Sequence, residues 1–236
     1  MLSVEQIQEV KQEFIDLLSS IKREGSDIDG LISYLEEIGF FKAPASAKYH
    51  CSFPGGLCLH SINVYKALVN LTDTFASHLE FHESEDGKMA SEDLVTNYSK
   101  DTLLIVGLLH DVIRANLFEE YSKNEKVYSE YGKKKETYID PVTNKEVNKY
   151  FDWQTVTSFK VRDAEERMTF GSRGFSSYYI ISQFLPLSNE ETVTLVNQYS
   201  AFDNSNSEDI SSILSKYNLS VYLHAADTIA TYCIEK

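Results

Sequence analysis

The amino-acid sequence predicts an all-α fold: one domain, a helical bundle carrying a small β-hairpin insertion. Three observations lead there. Apolar residues recur at helical spacing over most of the 236 residues. An apolar fraction of 42% is enough for a single core of that size. The one stretch that leaves the helical pattern, about 125–167, is rich in turn signals and β-branched residues.

The elements follow in order. N-terminal helices fill 1–42. The first places Val4, Ile7, Val10, Phe14, Leu17, Leu18 and Ile21 on one face, and the second runs from Asp27 to Phe40. Pro44, within 41–46, breaks the pattern. A third helix starts after Gly55-Gly56 and continues to about His82, followed by an acidic loop from Glu83 to Ser91. The most apolar helix spans Asp101 to about Ala115. In the insertion, a hairpin turns at Pro141–Lys145, and Thr155–Val161 reads as a strand by its β-branching. Helices near Ser177–Phe184, Glu190–Tyr199, Asp209–Lys216 and Val221–Ile234 complete the chain. The helical core is thus 43–120 together with 170–236.

Composition limits the function classes. No stretch approaches the roughly 18–20 apolar residues of a membrane span, and the first twenty residues lack the apolar heart of a signal peptide. Cys51, Cys58 and Cys233 are odd in number and without metal-finger spacing, so they read as free thiols in a reducing cytoplasm. A net charge of −14 repels a nucleic-acid backbone and disfavours long RNA or DNA. A small phosphorylated substrate remains compatible, because a bound cation and a few local Arg or Lys residues can neutralise it. A homo-oligomer stays open.

The chemistry is concentrated in polar residues within apolar helices. His110-Asp111 closes the run 102–109, His60 follows Gly55-Gly56-Leu57, and Asp227 lies in the last helix. Such residues are costly in an apolar setting unless something satisfies them. Two imidazoles and two carboxylates can together hold one divalent ion: Mn, Fe, Co, Ni or Zn, with Mg also admitted by the carboxylates. On the doublet alone, a hydrogen-bonded core histidine is the commoner outcome. On an ideal helix, adjacent side chains point about 100° apart. Both therefore reach one ion only if it sits near the helix end. Arg114, one turn from His110, can meet a phosphate or brace a ligand carboxylate. His78 and His82 share a helix face but have no third ligand in context, and a solvated face describes them better. His224, one turn before Asp227, is equally a core residue or a hydrogen-bond partner of a ligand. The tyrosines of 121–150 stack a base or, more commonly, pack an insertion on its host.

These motifs come in a familiar order. Ala45-Ser46, His50, Gly55-Gly56-Leu57 and His60-Ser61 come first, then Leu108-Leu109-His110-Asp111, then His224 and Asp227. The chain resembles the HD-domain metal-dependent phosphohydrolases over about residues 30–234, and the lead-in is similar to that of bacterial and phage members. The resemblance implies an HD-domain helical bundle, a bacterial or phage-infected host cytoplasm, and His60, His110, Asp111 and Asp227 as ligands of one divalent metal. It implies a catalytic role for Asp111 and a substrate contact from His50, which by residue alone is as readily an ordinary loop histidine. For the cation that meets the phosphoryl charge, Arg114 is the first choice, catalytic and substrate-binding, and Arg173 the second: its loop, flanked by Gly171 and Gly174, can bring backbone close to a phosphate, although a solvated loop residue is the commoner outcome. There are departures. Arg114 stands where a Lys is usual. Gly171-Ser172-Arg173-Gly174 stands where a Gly-His-Gly-Glu element is common, and a later histidine is replaced near Gln198-Tyr199. Their loss argues for one metal. The expected function is hydrolysis of a nucleotide or other small phosphoester by metal-activated water. The alternative is a catalytically weakened nucleotide-binding or sensing module. An oligonucleotide exonuclease is a third reading, opposed by the charge.

Overall fold

A computed structural model describes residues 2–79, 98–168, 170–198 and 207–235. The helices are α1 (Val4–Ser19), α2 (Ile28–Glu37), α3 (Gly56–Leu79), α4 (Lys100–Leu109), α5 (Arg173–Ser182), α6 (Asn189–Asn197), α7 (Ser207–Lys216) and α8 (Asn218–Ile229). Between α4 and α5 lie β1 (Phe118–Tyr128), β2 (Lys134–Ile139) and β3 (Glu146–Val161). The acidic loop at Glu83–Ser91, His82 and Tyr199 fall outside the described residues, as does the side chain of His78. Among the described residues no helix is long and apolar enough to cross a membrane.

The all-α expectation is overturned. The fold is 54% helical and carries a three-stranded antiparallel sheet that accounts for 16% of it. The sheet has the order β1-β3-β2. It begins at Phe118, ahead of the expected 125, because β1 has no apolar alternation to announce it. Its charges (Glu119, Glu120, Lys123, Glu125, Lys126) mask a strand that long-range pairing creates. Phe118 lies opposite Val161 and Tyr128 opposite Phe151 in an unbroken register. Glu119 pairs with Lys160 across it. β2 and β3 join through a turn at 140–145, where the Asp140 carboxylate accepts from the amides of Val142 and Thr143 at 2.8 and 3.0 Å.

The helical body is built around α3, against which α1, α4 and α8 pack. Leu57, Ile62, Val64 and Leu68 of α3 are buried against Leu104, Ile105 and Leu108 of α4. The α3–α4 contact is close because Gly107 has no side chain: a Cβ there would lie 2.8 Å from the Cα of Tyr65. Phe14 of α1 packs on Phe40 and Phe41, with ring centroids 5.0 and 5.6 Å away. At the far side, Arg23 grips the fully buried Glu191 through two contacts of 2.6 Å.

Two helices end earlier than their apolar patterns suggest. α4 stops at Leu109, and Val112–Asn116 forms a 3-10 turn instead of more helix. The amide of Ile113 donates to the Ser177 hydroxyl of α5 at 3.3 Å, which replaces an intrahelical bond. α8 ends at Ile229 and widens into a π turn over Ala230–Ile234.

Candidate metal centre

The lead-in to α3 is a tight loop. Gly55 has a φ of +81°, and a Cβ at Gly56 would lie 2.0 Å from the carbonyl oxygen of Cys51. Only glycine allows the chain to fold back there. The Leu57 amide then donates to the Ala43 carbonyl at 3.0 Å. This starts α3 with His60 in its second turn, 1% exposed and facing the ends of α4 and α8.

Four residues singled out from the sequence converge there. His60 Nε2 lies 3.2 Å from Asp227 Oδ1 and 3.9 Å from Asp111 Oδ2. His110 Nε2 lies 3.6 Å from the same Asp111 oxygen, and the rings of His60 and His110 are 5.5 Å apart. His60, His110 and Asp111 form a fully buried group with ligand atoms within 4.8 Å of one another. Asp227, on α8, closes the cluster from a partly exposed side.

The protonation pattern follows from the partners. His110 Nδ1 lies 3.0 Å from the Gly107 carbonyl oxygen, which only accepts, so Nδ1 carries the hydrogen. Nε2 is then a bare lone pair, buried and without a hydrogen-bond partner. Burial lowers the His110 pKa and keeps the ring neutral. His60 behaves oppositely. Burial disfavours its charge, but hydrogen bonds to Asp227 and Glu235 outweigh this and raise its pKa to about 9. Asp227 is held below the usual carboxylate range: burial opposes this, and the His60 hydrogen bond and nearby positive charge prevail. Neither Asp111 oxygen has a hydrogen-bond donor. Arg114 Nε lies 2.6 Å from Oδ2 as an ion pair whose N–H points off the oxygen.

A buried lone pair beside a buried carboxylate without donors is an expensive arrangement. A divalent cation satisfies both at once, and the donor set of two imidazoles and two carboxylates suits one. The residues therefore fit the metal that the sequence motifs imply.

The remaining candidates fall in different places. Arg114 donates from Nη1 to the Ala45 carbonyl at 2.7 Å, so it ties Asp111 to the lead-in loop. His50 is half-buried in that loop, its ring 5.0 Å from that of His60. Arg173 is exposed at the first position of α5, where Ser172 caps the helix through the Phe175 amide. Gly174 beside it packs against the carbonyls of Leu195 and Val196. His224 is half-buried on α8.

Two residues of the site were not assigned from sequence. Glu235 bonds His60 Nδ1 through both oxygens, at 3.2 and 3.0 Å. Gln198, read only as a lost histidine, is buried and donates to the His110 carbonyl at 2.5 Å. An acidic residue two turns beyond Asp227 was the available signal for Glu235. Gln198 had none beyond its place in the motif order. No family model, curated protein or solved structure matches the chain.

Proposed function

We propose that the protein is a metal-dependent phosphohydrolase acting on a nucleotide or another small phosphoester. The observation that carries this reading is the pairing of the unpartnered His110 Nε2 with the Asp111 carboxylate, at the focus of four ligand-type side chains. A divalent ion held by His60, His110, Asp111 and Asp227 supplies a water of lowered pKa and neutralises phosphoryl charge. Arg114 fixes the Asp111 carboxylate through its ion pair and through Ala45. His50, next to His60 and with its pKa lowered by burial, offers a neutral imidazole at the edge of the site. The chain's net charge of −14 favours a small substrate over a polymer.

A second reading, a nucleotide-binding module with weak or no turnover, is favoured by Gln198. Its amide is committed to the His110 carbonyl, at a position where the resembling family places a histidine. One experiment separates the two: metal content of wild type and Asp111→Ala, with a nucleotide panel assayed in Mn, Co, Ni and Mg. About one metal per chain, lost in the variant together with phosphate or nucleoside release, supports the hydrolase. Metal and nucleotide binding without turnover supports the module. A wild type that takes up no metal defeats both.

A further inference from the structure

Glu235 is a carboxylate in an unusual setting. Its side chain is 2% exposed, and a buried carboxylate is costly unless donors surround it. The Cys51 thiol of the lead-in loop bonds it, and two further partners come from one face of α3. The His60 ring approaches through Nδ1, and Asn63, three residues on, donates from Nδ2 to Oε1 at 3.0 Å. Asn63 holds Oε1 as an acceptor, and both carboxylate oxygens face His60 Nδ1, which places a hydrogen on that nitrogen.

The two histidines of the centre then match. Each has Nδ1 anchored to a protein acceptor and Nε2 turned toward Asp111. For His110 the anchor is the Gly107 carbonyl, part of its own helix. His60 has no such anchor within α3, and Glu235 provides it from the other end of the chain. The widened end of α8 makes this reach. On an ideal α-helix, residues eight apart lie about 80° apart around the axis. A π turn rotates less per residue, and over Ala230–Ile234 it brings Glu235 back toward the face that carries Asp227. The two carboxylates end on opposite edges of one imidazole.

His50, His60 and Glu235 also lie close enough to suggest an ion of their own. That would require a lone pair on His60 Nδ1, the nitrogen that Glu235 and its neighbour Asn63 are arranged to hold protonated. We infer that Glu235 is a positioning residue of the metal centre: it anchors Nδ1–H of His60 and so presents Nε2 as the ligating nitrogen. This rests on the metal-site reading above. A carboxylate behind a ligating histidine fixes its orientation and raises its basicity.

The test is zinc binding by wild type, Glu235→Ala and Glu235→Gln, using a chromophoric chelator as competitor and long-range ¹H–¹⁵N spectra of the histidines in the zinc-loaded chain. The expected result is a loss of about 10–100-fold in zinc affinity for Glu235→Ala. Glu235→Gln, which keeps an acceptor, stays within a few-fold of wild type. In the spectra, wild-type His60 carries its hydrogen on Nδ1 and zinc on Nε2, and the Nδ1–H signal is lost or exchanges faster in Glu235→Ala. Glu235→Ala with wild-type affinity and an unchanged His60 signal overturns the inference while leaving the metal site standing. Equal loss in both variants overturns it too, because packing and not the acceptor would then matter. A wild type that binds no zinc overturns the metal site itself, and this inference with it.

Discussion

His110 and Asp111 are adjacent in sequence, yet His110 Nε2 and Asp111 Oδ2 are 3.6 Å apart. On a continuing helix they would diverge. They converge because α4 ends between them. His110 keeps helical angles (φ −52°, ψ −39°), whereas Asp111 turns to φ −105°, ψ 19°, in the sparsely allowed bridge region that active-site residues frequent. The 3-10 turn that follows fixes this change of direction.

A metal that links these two side chains should stabilise the fold. Occupancy at about 100 times Kd contributes about 2.7 kcal/mol, which for a chain of this size is a rise in Tm of about 5–10 °C. Asp111→Asn keeps the shape but not the charge. It should show no metal-dependent rise, whatever the loss of the Arg114 ion pair does to its metal-free Tm. Calorimetric scans with and without Mn or Zn decide this. An equal rise in the variant removes Asp111 from the site.

A proton on His60 would compete with a metal bound there. Its pKa in the fold is about 9, above the ordinary 6.5. In the metal-free protein the resulting stabilisation is complete below pH 6.5 and is lost as pH rises through 9. Metal affinity should run the other way: it is expected to rise by about tenfold per pH unit until about pH 9, where a free imidazole would level off near 6.5. Binding isotherms between pH 6.5 and 9.5 test this. A plateau from pH 7 upward would mean that His60 is not held between Asp227 and Glu235.

Much of this centre is legible in the sequence, for a physical reason. His60, His110, Asp111 and Asp227 stand out because each interrupts an apolar helical stripe. Glu235 does not, since the helical period carries it off the face of Asp227 and only the π turn restores it. The Arg23–Glu191 clasp joins positions 168 apart, beyond any local pattern. β1 hides for another reason. Its alternation is written in charges, and it becomes a strand only where Lys160 and the rest of β3 come to pair with it.

Gly107 sets the distance between the two histidine-bearing helices. A Cβ there would meet the Cα of Tyr65 at 2.8 Å and its Cβ at 3.0 Å, and backbone atoms cannot swing aside. Gly107→Ala should therefore cost about 1–3 kcal/mol. It should also weaken metal binding, because α4 carries His110 away from His60 on α3. Urea titration and chelator competition on the same variant measure both effects. Loss of stability without loss of affinity would show that the helices separate elsewhere along their length.

The register of β3 makes a sharper demand. The Tyr150 carbonyl accepts from Ser129, and the Arg162 amide donates to Leu117, so even positions face β1. Pairing is unbroken between Phe118↔Val161 and Tyr128↔Phe151, and strand backbone alternates sides. Val156 therefore turns its N–H to β1, opposite Lys123, and Thr157 turns its N–H to the outer edge. Among the described residues no hydrogen bond reaches that outer amide. Proline removes the N–H and is tolerated only on an open edge. Thr157→Pro should leave the sheet within about 1 kcal/mol of wild type, while Val156→Pro should cost about 1–3 kcal/mol through the lost ladder bond and its stranded carbonyl. Amide exchange along β1 reads the difference. Protection of 118–128 should survive Thr157→Pro and collapse in Val156→Pro, and the reverse order would shift β3 by one residue against β1.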